Sequence, residues 1–217
     1  MSEITVKTPV KNESTESKEG LWSMIRLGLI LAAYAVVCCA VLALVNNFTA
    51  PKIAQNQERK VSAAMKEFFP ESGLTFETVT DYSPAVVGAI TVDEIYVAKK
   101  DGSIVGGAAQ VTGPTYDQGT ILIGIKTDGS VAGLKFLKLT DSPGFGLKAN
   151  DSTFTLPNGK TFYGQFEGKN AKEGFEAGKN FDAISGATIT SVAISSLINE
   201  GSKNLLAYFA LKNGEEK

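Results

Sequence analysis

Leu27 to Val45 is a run of nineteen residues without a charge, and it limits what this chain can fold into more than any other feature. As a helix it spans about 28 Å at 1.5 Å per residue. That is close to the hydrocarbon thickness of a bilayer, roughly 30 Å. Leu21, Trp22, Met24 and Ile25 extend the run, and Trp22 stands where an interfacial aromatic belongs. Arg26 snorkels or marks the edge. A cleaved signal peptide is the competing reading. Its apolar core would be shorter, roughly 7–15 residues, with a small-x-small cleavage site after it. Ala43-Leu44-Val45 fits that poorly and the polar leader is long, so the segment reads as an uncleaved anchor. Lys7, Lys11, Lys18 and Arg26 precede the span, while Lys52, Arg59 and Lys60 follow it. That asymmetry is too small to orient the span.

The anchor divides the chain. Residues 1–20 mix Lys, Glu, Ser and Thr and read as a disordered tail. A transmembrane helix covers residues 21–47 and a linking helix 48–70, with Pro51 near the start of the second and Pro70 at its end. Residues 71–217 read as one α+β domain. Leu74–Thr80, Glu94–Ala98, Ile104–Val111, Thr120–Lys126 and Val131–Leu139 are rich in β-branched or alternating residues and predict strands. Asp101-Gly102 and Asp128-Gly129 are hairpin signals, so the sheet is expected to be mostly antiparallel. A loop-rich stretch, Thr140 to Asn180, precedes a final helix from Ile189 to about Lys212 that Gly201 is expected to kink or interrupt. Val192, Leu197, Leu205 and Phe209 form its apolar stripe.

Several chemistries are excluded. Net charge is −2 and no basic block exists, so nucleic acid is not an expected partner. There is no histidine, which removes imidazole bases and most zinc sites. Cys38 and Cys39 are adjacent and inside the apolar run, where they read as small apolar fillers. No Gly-x-Gly-x-x-Gly follows a strand, and the domain after the span has no cysteine for an iron–sulfur centre.

One stretch carries positive chemical information. Asp182-Ala183-Ile184-Ser185-Gly186-Ala187-Thr188-Ile189-Thr190 gathers small residues, an acid and three hydroxyls at a helix start. Free backbone amides and the positive end of the helix dipole suit a phosphate there. Taken alone it also reads as an ordinary N-cap with a tight turn. A second stretch, Asp141-Ser142-Pro143-Gly144-Phe145-Gly146-Leu147-Lys148, is an exposed rigid turn in which amides can approach a flat ligand.

Asp182-x-x-Ser185-Gly186-Ala187-Thr188 resembles the flavinylation motif of bacterial proteins that bear FMN on a threonine through a phosphoester bond. The likeness is to the G subunits of the Rnf electron-transport complex, with the C subunit of the sodium-pumping NADH:quinone oxidoreductase as a relative. Asp141-Ser142-Pro143-Gly144-Phe145-Gly146 is similar to that family's Glu-Thr-Pro-Gly-Leu-Gly stretch. Gly113-Pro114-Thr115-Tyr116 takes the place of its Gly-rich turn. The histidine that relatives often carry just upstream of the second stretch is replaced by Lys138, Leu139 and Thr140.

The resemblance implies covalent FMN on Thr188 and a flavin transferase that requires Asp182. It implies a domain outside the bacterial plasma membrane, held by a single span. The partners would be membrane, iron–sulfur and flavin subunits of the Rnf complex. The role would be a redox subunit of an ion-translocating oxidoreductase, a translocase, not active alone. The ring is expected near Pro143, Gly144, Phe145 and Gly146, next to Ser142. The phosphate is expected at Thr188 in the turn Ser185-Gly186-Ala187, with Ser185 and Thr190 as hydrogen-bond partners and Lys148 as candidate counter-charge. The competing readings are a stand-alone membrane-anchored reductase and a cofactor-free binding domain.

Overall fold

The computed structural model describes residues 13–84 and 86–215. Residues 1–12 of the expected tail lie outside the described residues. The remainder of that stretch is helical, because α1 runs from Glu13 to Phe68. A transmembrane helix over 21–47 and a separate linking helix over 48–70 were expected, yet α1 runs through both and continues past Pro51. Proline removes only one amide donor, here the partner of the Asn47 carbonyl, and its ring needs room that an exposed helix offers. The apolar side chains from Leu27 to Val45 are exposed around the helix, with Leu27, Leu29, Leu31, Leu42 and Leu44 each 60% or more accessible. Nothing among the described residues covers them, which fits a helix that crosses a bilayer.

The chain divides into two units at Gln55/Asn56. The second is built on a five-stranded sheet in the order β1-β2-β3-β4-β5, every neighbouring pair antiparallel. The strands are β1 (Thr75–Thr78), β2 (Thr91–Lys100), β3 (Ser103–Pro114), β4 (Gln118–Lys126) and β5 (Val131–Leu139). Both hairpin signals form turns. Asp101 and Gly102 both take positive φ, and Asp128 Oδ1 accepts from the amide and hydroxyl of Ser130 at 2.7 Å. β2 begins three residues before the expected Glu94. A register shift between Val92 and Glu94 breaks its alternation, and Asp93 there accepts from the Thr112 hydroxyl at 2.5 Å.

Side chains alternate across a strand, so each face needs its own cover. Val97, Ala109, Val111, Ile121, Ile123 and Ile125 pack with α2 (Thr188–Glu215) through Leu197, Leu205 and Phe209. Ala98, Ala108 and Leu122 face the other way, against Val61, Met65, Phe68 and Phe69 at the end of α1. β4 is therefore buried along its whole interior. Gly201 does not interrupt α2, which continues through it. A Cβ there would lie 2.7 Å from both Ile123 and Val111, so the glycine lets helix and sheet pack closely at that point.

After β5 the chain forms two short 3-10 turns, Gly146–Asn150 and Ala171–Glu173. The loop region has an aromatic core of its own. Phe162, Phe166, Phe175 and Phe181 are buried and meet at ring distances from 5.1 to 6.3 Å. Edge-to-face rings at such spacing hold an irregular backbone without a ladder of hydrogen bonds.

Candidate functional site

The two singled-out stretches meet. A cleft of about 580 Å³ is lined by Tyr116, Ser142, Pro143, Phe145 and Gly146 on one side, and by Gly186, Ala187, Thr188, Ile189 and Thr190 on the other. The volume is in the range of small-molecule sites. Sequence separation does not predict the juxtaposition. It arises because the segment after β5 meets the first turn of α2, where the Thr190 hydroxyl donates to Asp141 Oδ2.

The α2 start is built by a short local network. The Ala187 amide donates to the Ile184 carbonyl at 2.9 Å, which closes the turn through Gly186. The Ser191 hydroxyl donates to the Ala187 carbonyl and accepts from the Ile184 amide at 3.0 Å. Ser191 thus secures the turn from inside the helix. Among the described residues no acceptor meets the amides of Thr188, Ile189 and Thr190. These are the unpaired donors of a helix N-terminus, aimed where an anion is favoured. The Thr188 side chain is exposed and its hydroxyl has no partner among the described residues. Ser185 is exposed too, but does not line the cleft.

The other wall hangs on Asp141, which is buried at 2% exposure. Its Oδ1 accepts from the Thr115 hydroxyl at 2.5 Å and the Asp117 amide at 3.0 Å. Its Oδ2 accepts from the Thr190 hydroxyl at 2.5 Å and the Tyr116 amide at 3.3 Å. Burial pushes the Asp141 carboxyl pKa up. The Thr115 and Thr190 hydroxyls and the Asp117 and Tyr116 amides outweigh that and hold it below its ordinary value. Gly146 fits against this cluster. A Cβ there would meet Asp141 Cβ and Oδ2 at 2.6 Å and Thr190 Oγ1 at 2.7 Å.

Not every expected site residue reaches the cleft. The Lys148 ammonium lies over the Phe154 ring at 5.2 Å from its centroid, outside the lining. Thr190 lines the cleft, but its hydroxyl is committed to Asp141. Asp182 lies outside the lining as well, and is held by its main chain. Its amide donates to Gln165 Oε1 at 2.8 Å, its carbonyl accepts from Gln165 Nε2 at 3.0 Å, and its carboxylate accepts from Asn158 at 2.8 Å. Sequence reasoning passed over Gln165, Asn158, Ser191 and the hub role of Asp141. Only Asp141 carried a signal, as the acid at the head of its turn. Gly144 keeps a positive φ in open space and stands outside the lining, between Pro143 and Phe145 which belong to it.

The open rim is apolar. Tyr116, Phe145 and Ile189 are 67%, 57% and 64% accessible. Aromatic and aliphatic surface beside a row of free amides fits a molecule that is flat at one end and anionic at the other. Residues 116–203, which include the whole cleft lining, match the family model described as an FMN-binding domain, so the cleft is that of a flavin-nucleotide-binding domain. Residues 18–68 match the model described as the RnfG N-terminal region. The chain is 31% identical over 206 residues to the G subunit of the Na(+)-translocating ferredoxin:NAD(+) oxidoreductase complex of Acetobacterium woodii, covering 86% of this chain and 94% of that one. It is 29% identical to the G subunit of the ion-translocating oxidoreductase complex of Vibrio vulnificus, over 77% and 82% of the two chains. Its identity to the corresponding G subunit of Pseudomonas aeruginosa is 27%, over 86% and 89%. The chain belongs to the family of G subunits of the Rnf ion-translocating oxidoreductase complexes.

Proposed function

We propose that this protein is the membrane-anchored electron-transfer subunit of an Rnf-type complex and carries FMN as a phosphoester on Thr188. The observation that carries the reading is the exposed, unpartnered Thr188 hydroxyl among three free amides, at the edge of an apolar cleft. The new bond joins Thr188 Oγ1 to the flavin phosphorus. The hydroxyl proton leaves with the group displaced from phosphorus, so the chain gains one FMN less one water. The amides of residues 188–190 bind the phosphate oxygens, and the Asp182 loop presents the sequence that a flavin transferase acts on. Ser142, Pro143, Gly144, Phe145 and Gly146 support one side of the cofactor, with Ser185 and Lys148 as outer polar groups. Bound there, the flavin supplies one- and two-electron transfer, and the protein supplies position and polarity.

A tether suits a single-span protein whose domain faces away from the cytoplasm, where a lost cofactor is not replaced. Anchoring also confines the domain to the membrane plane and raises its effective concentration near partner subunits. Electrons would arrive from one bound cofactor and leave to another. The span from Leu27 to Val45 has no Asp, Glu or Lys to carry an ion, so coupling falls to other subunits.

The test is the intact mass of the full chain expressed with its flavin transferase. Wild type is expected to exceed its sequence mass by FMN less water and to fluoresce in a denaturing gel, while Thr188→Ala does neither. A bare wild-type chain from its own membranes overturns the flavin assignment. Co-purification with several integral membrane subunits is expected, and an isolated, active protein would favour the stand-alone reductase.

A further inference from the structure

Asp141 receives its four donors from two separate places. Thr115, Tyr116 and Asp117 belong to the β3–β4 connection, and Thr190 to the first turn of α2. Asp141 itself opens the Ser142–Gly146 wall. Three segments that line the cleft therefore converge on one carboxylate. Both oxygens are used, each by one hydroxyl and one amide, and Gly146 packs so close to the cluster that a Cβ there would lie 2.6 Å from Asp141. Among the described residues no Lys or Arg pairs with Asp141, and none lines the cleft. The charge is balanced by dipoles alone, in a site from which water is nearly excluded.

We propose that Asp141 is the positioning residue of the flavin cleft, tying the β3–β4 turn to the start of α2 and setting a fixed negative charge directly behind the lining. This rests on the reading of the cleft as a flavin site. Two effects follow and they are separable. The linkage fixes the distance between the Tyr116 and Phe145 surfaces and the Thr188 attachment point, so it orders the ring. The charge disfavours electron gain nearby, because a buried anion raises the energy of added negative charge. It holds the flavin potential lower than the same cleft without it.

Asp141→Asn is close to isosteric, keeps one acceptor oxygen and removes the charge. Thr190→Val keeps the charge and removes the α2 end of the linkage. Both are made in the full chain, co-expressed with the flavin transferase, and intact mass reports loading separately from the rest. A wild-type chain without FMN would sink the flavin reading itself, before Asp141 is addressed. In loaded protein, both variants are expected to lower flavin fluorescence anisotropy and weaken the visible circular dichroism of the flavin. Asp141→Asn is also expected to move the midpoint potential to more positive values, by clearly more than Thr190→Val does. A purely structural role would not split the two variants in this way. Loaded variants with wild-type anisotropy and dichroism overturn the linkage. Equal potentials in Asp141→Asn and wild type overturn the charge effect. If Asp141→Asn does not fold, Thr190→Val decides the linkage, and Thr115→Val tests it from the opposite end.

Discussion

The rim and the floor of the cleft are built on opposite terms. At the rim, Thr188, Phe145, Tyr116 and Ile189 are exposed, and the Thr188 hydroxyl and the first α2 amides have no partner among the described residues. At the floor, Asp141, Thr115 and Thr190 are buried and paired with one another. Two threonines of one sequence stretch, Thr188 and Thr190, fall on the two sides of this divide. The same side-chain chemistry is open surface at one position and internal scaffold two residues later. A hydroxyl can stay accessible at a helix start while its neighbours, paired with one another, hold the turn that carries it.

The largest effect is expected from Thr188→Ala. The covalent flavin signal is expected to vanish completely, while folding stability stays within about 0.5 kcal/mol, the usual range for an exposed substitution. Alanine is also a good helix former at that position. A thermal melt alongside the mass measurement checks both halves. A large loss of stability would show that Thr188 belongs to the scaffold.

Gly146→Ala attacks the floor instead. The added methyl lands 2.6 Å from Asp141 and 2.7 Å from Thr190. Overpacking of this kind costs about 1–3 kcal/mol. Denaturant unfolding is expected to show that loss even in protein without flavin. An unchanged midpoint would mean that the Asp141 cluster can yield.

Much of this was legible in the sequence, and the limits follow physical lines. Both Asp-Gly hairpins, the strand set and the last helix are local signals and appear within a few residues of their expected places, while the apolar run is helical as expected but lies inside the longer helix Glu13–Phe68. The two halves of the cleft were each readable, since Pro-Gly-x-Gly and Ser-Gly-Ala-Thr carry strong turn chemistry. The floor was not. The donors to Asp141 stand 24 to 49 residues away along the chain, and a threonine or an amide advertises nothing about so distant an acceptor. The aromatic core of the loop region was missed for a related reason. Phe162, Phe166, Phe175 and Phe181 follow neither a helical nor a strand period, so no periodic pattern reveals them. Pro51 misled in the other direction, because its helix-breaking tendency depends on surroundings that sequence does not display.

Acid sharpens the contrast further. The Asp141 carboxyl is held below its ordinary value of about 3.9. Its folded pKa lies under its unfolded pKa, so it contributes stability that is fully present above the unfolded value. That contribution is lost as pH falls through the folded value. Asp128 and Asp151 are lowered too, by the Ser130 and Thr153 hydrogen bonds respectively, so acid loss in wild type is a sum. The gap between wild type and Asp141→Asn isolates one member. Melting temperatures from about pH 6 to about pH 3 are expected to show that gap narrowing toward the acid end. A gap independent of pH would mean that the Asp141 pKa is the same in the folded and unfolded chain, and a gap widening toward acid would mean that the fold favours the neutral carboxyl.

The smallest expected effect is at Phe145. Its ring is 57% exposed at the lip of the cleft, and it approaches Gly186 closely enough that a Cβ there would lie 3.5 Å away. Phe145→Ala removes a ring that the fold buries less than half, so stability is expected to fall by no more than about 1 kcal/mol. Covalent loading is expected to persist, since Thr188 and the α2 start are untouched. In the proposed flavin site, the flavin ring would lose one neighbour. Loss of an aromatic neighbour is expected to alter flavin fluorescence intensity at constant flavin content. Intensity identical to wild type would place the ring elsewhere on the rim, against Tyr116 or Ile189, and the same substitution at those two positions would then find it.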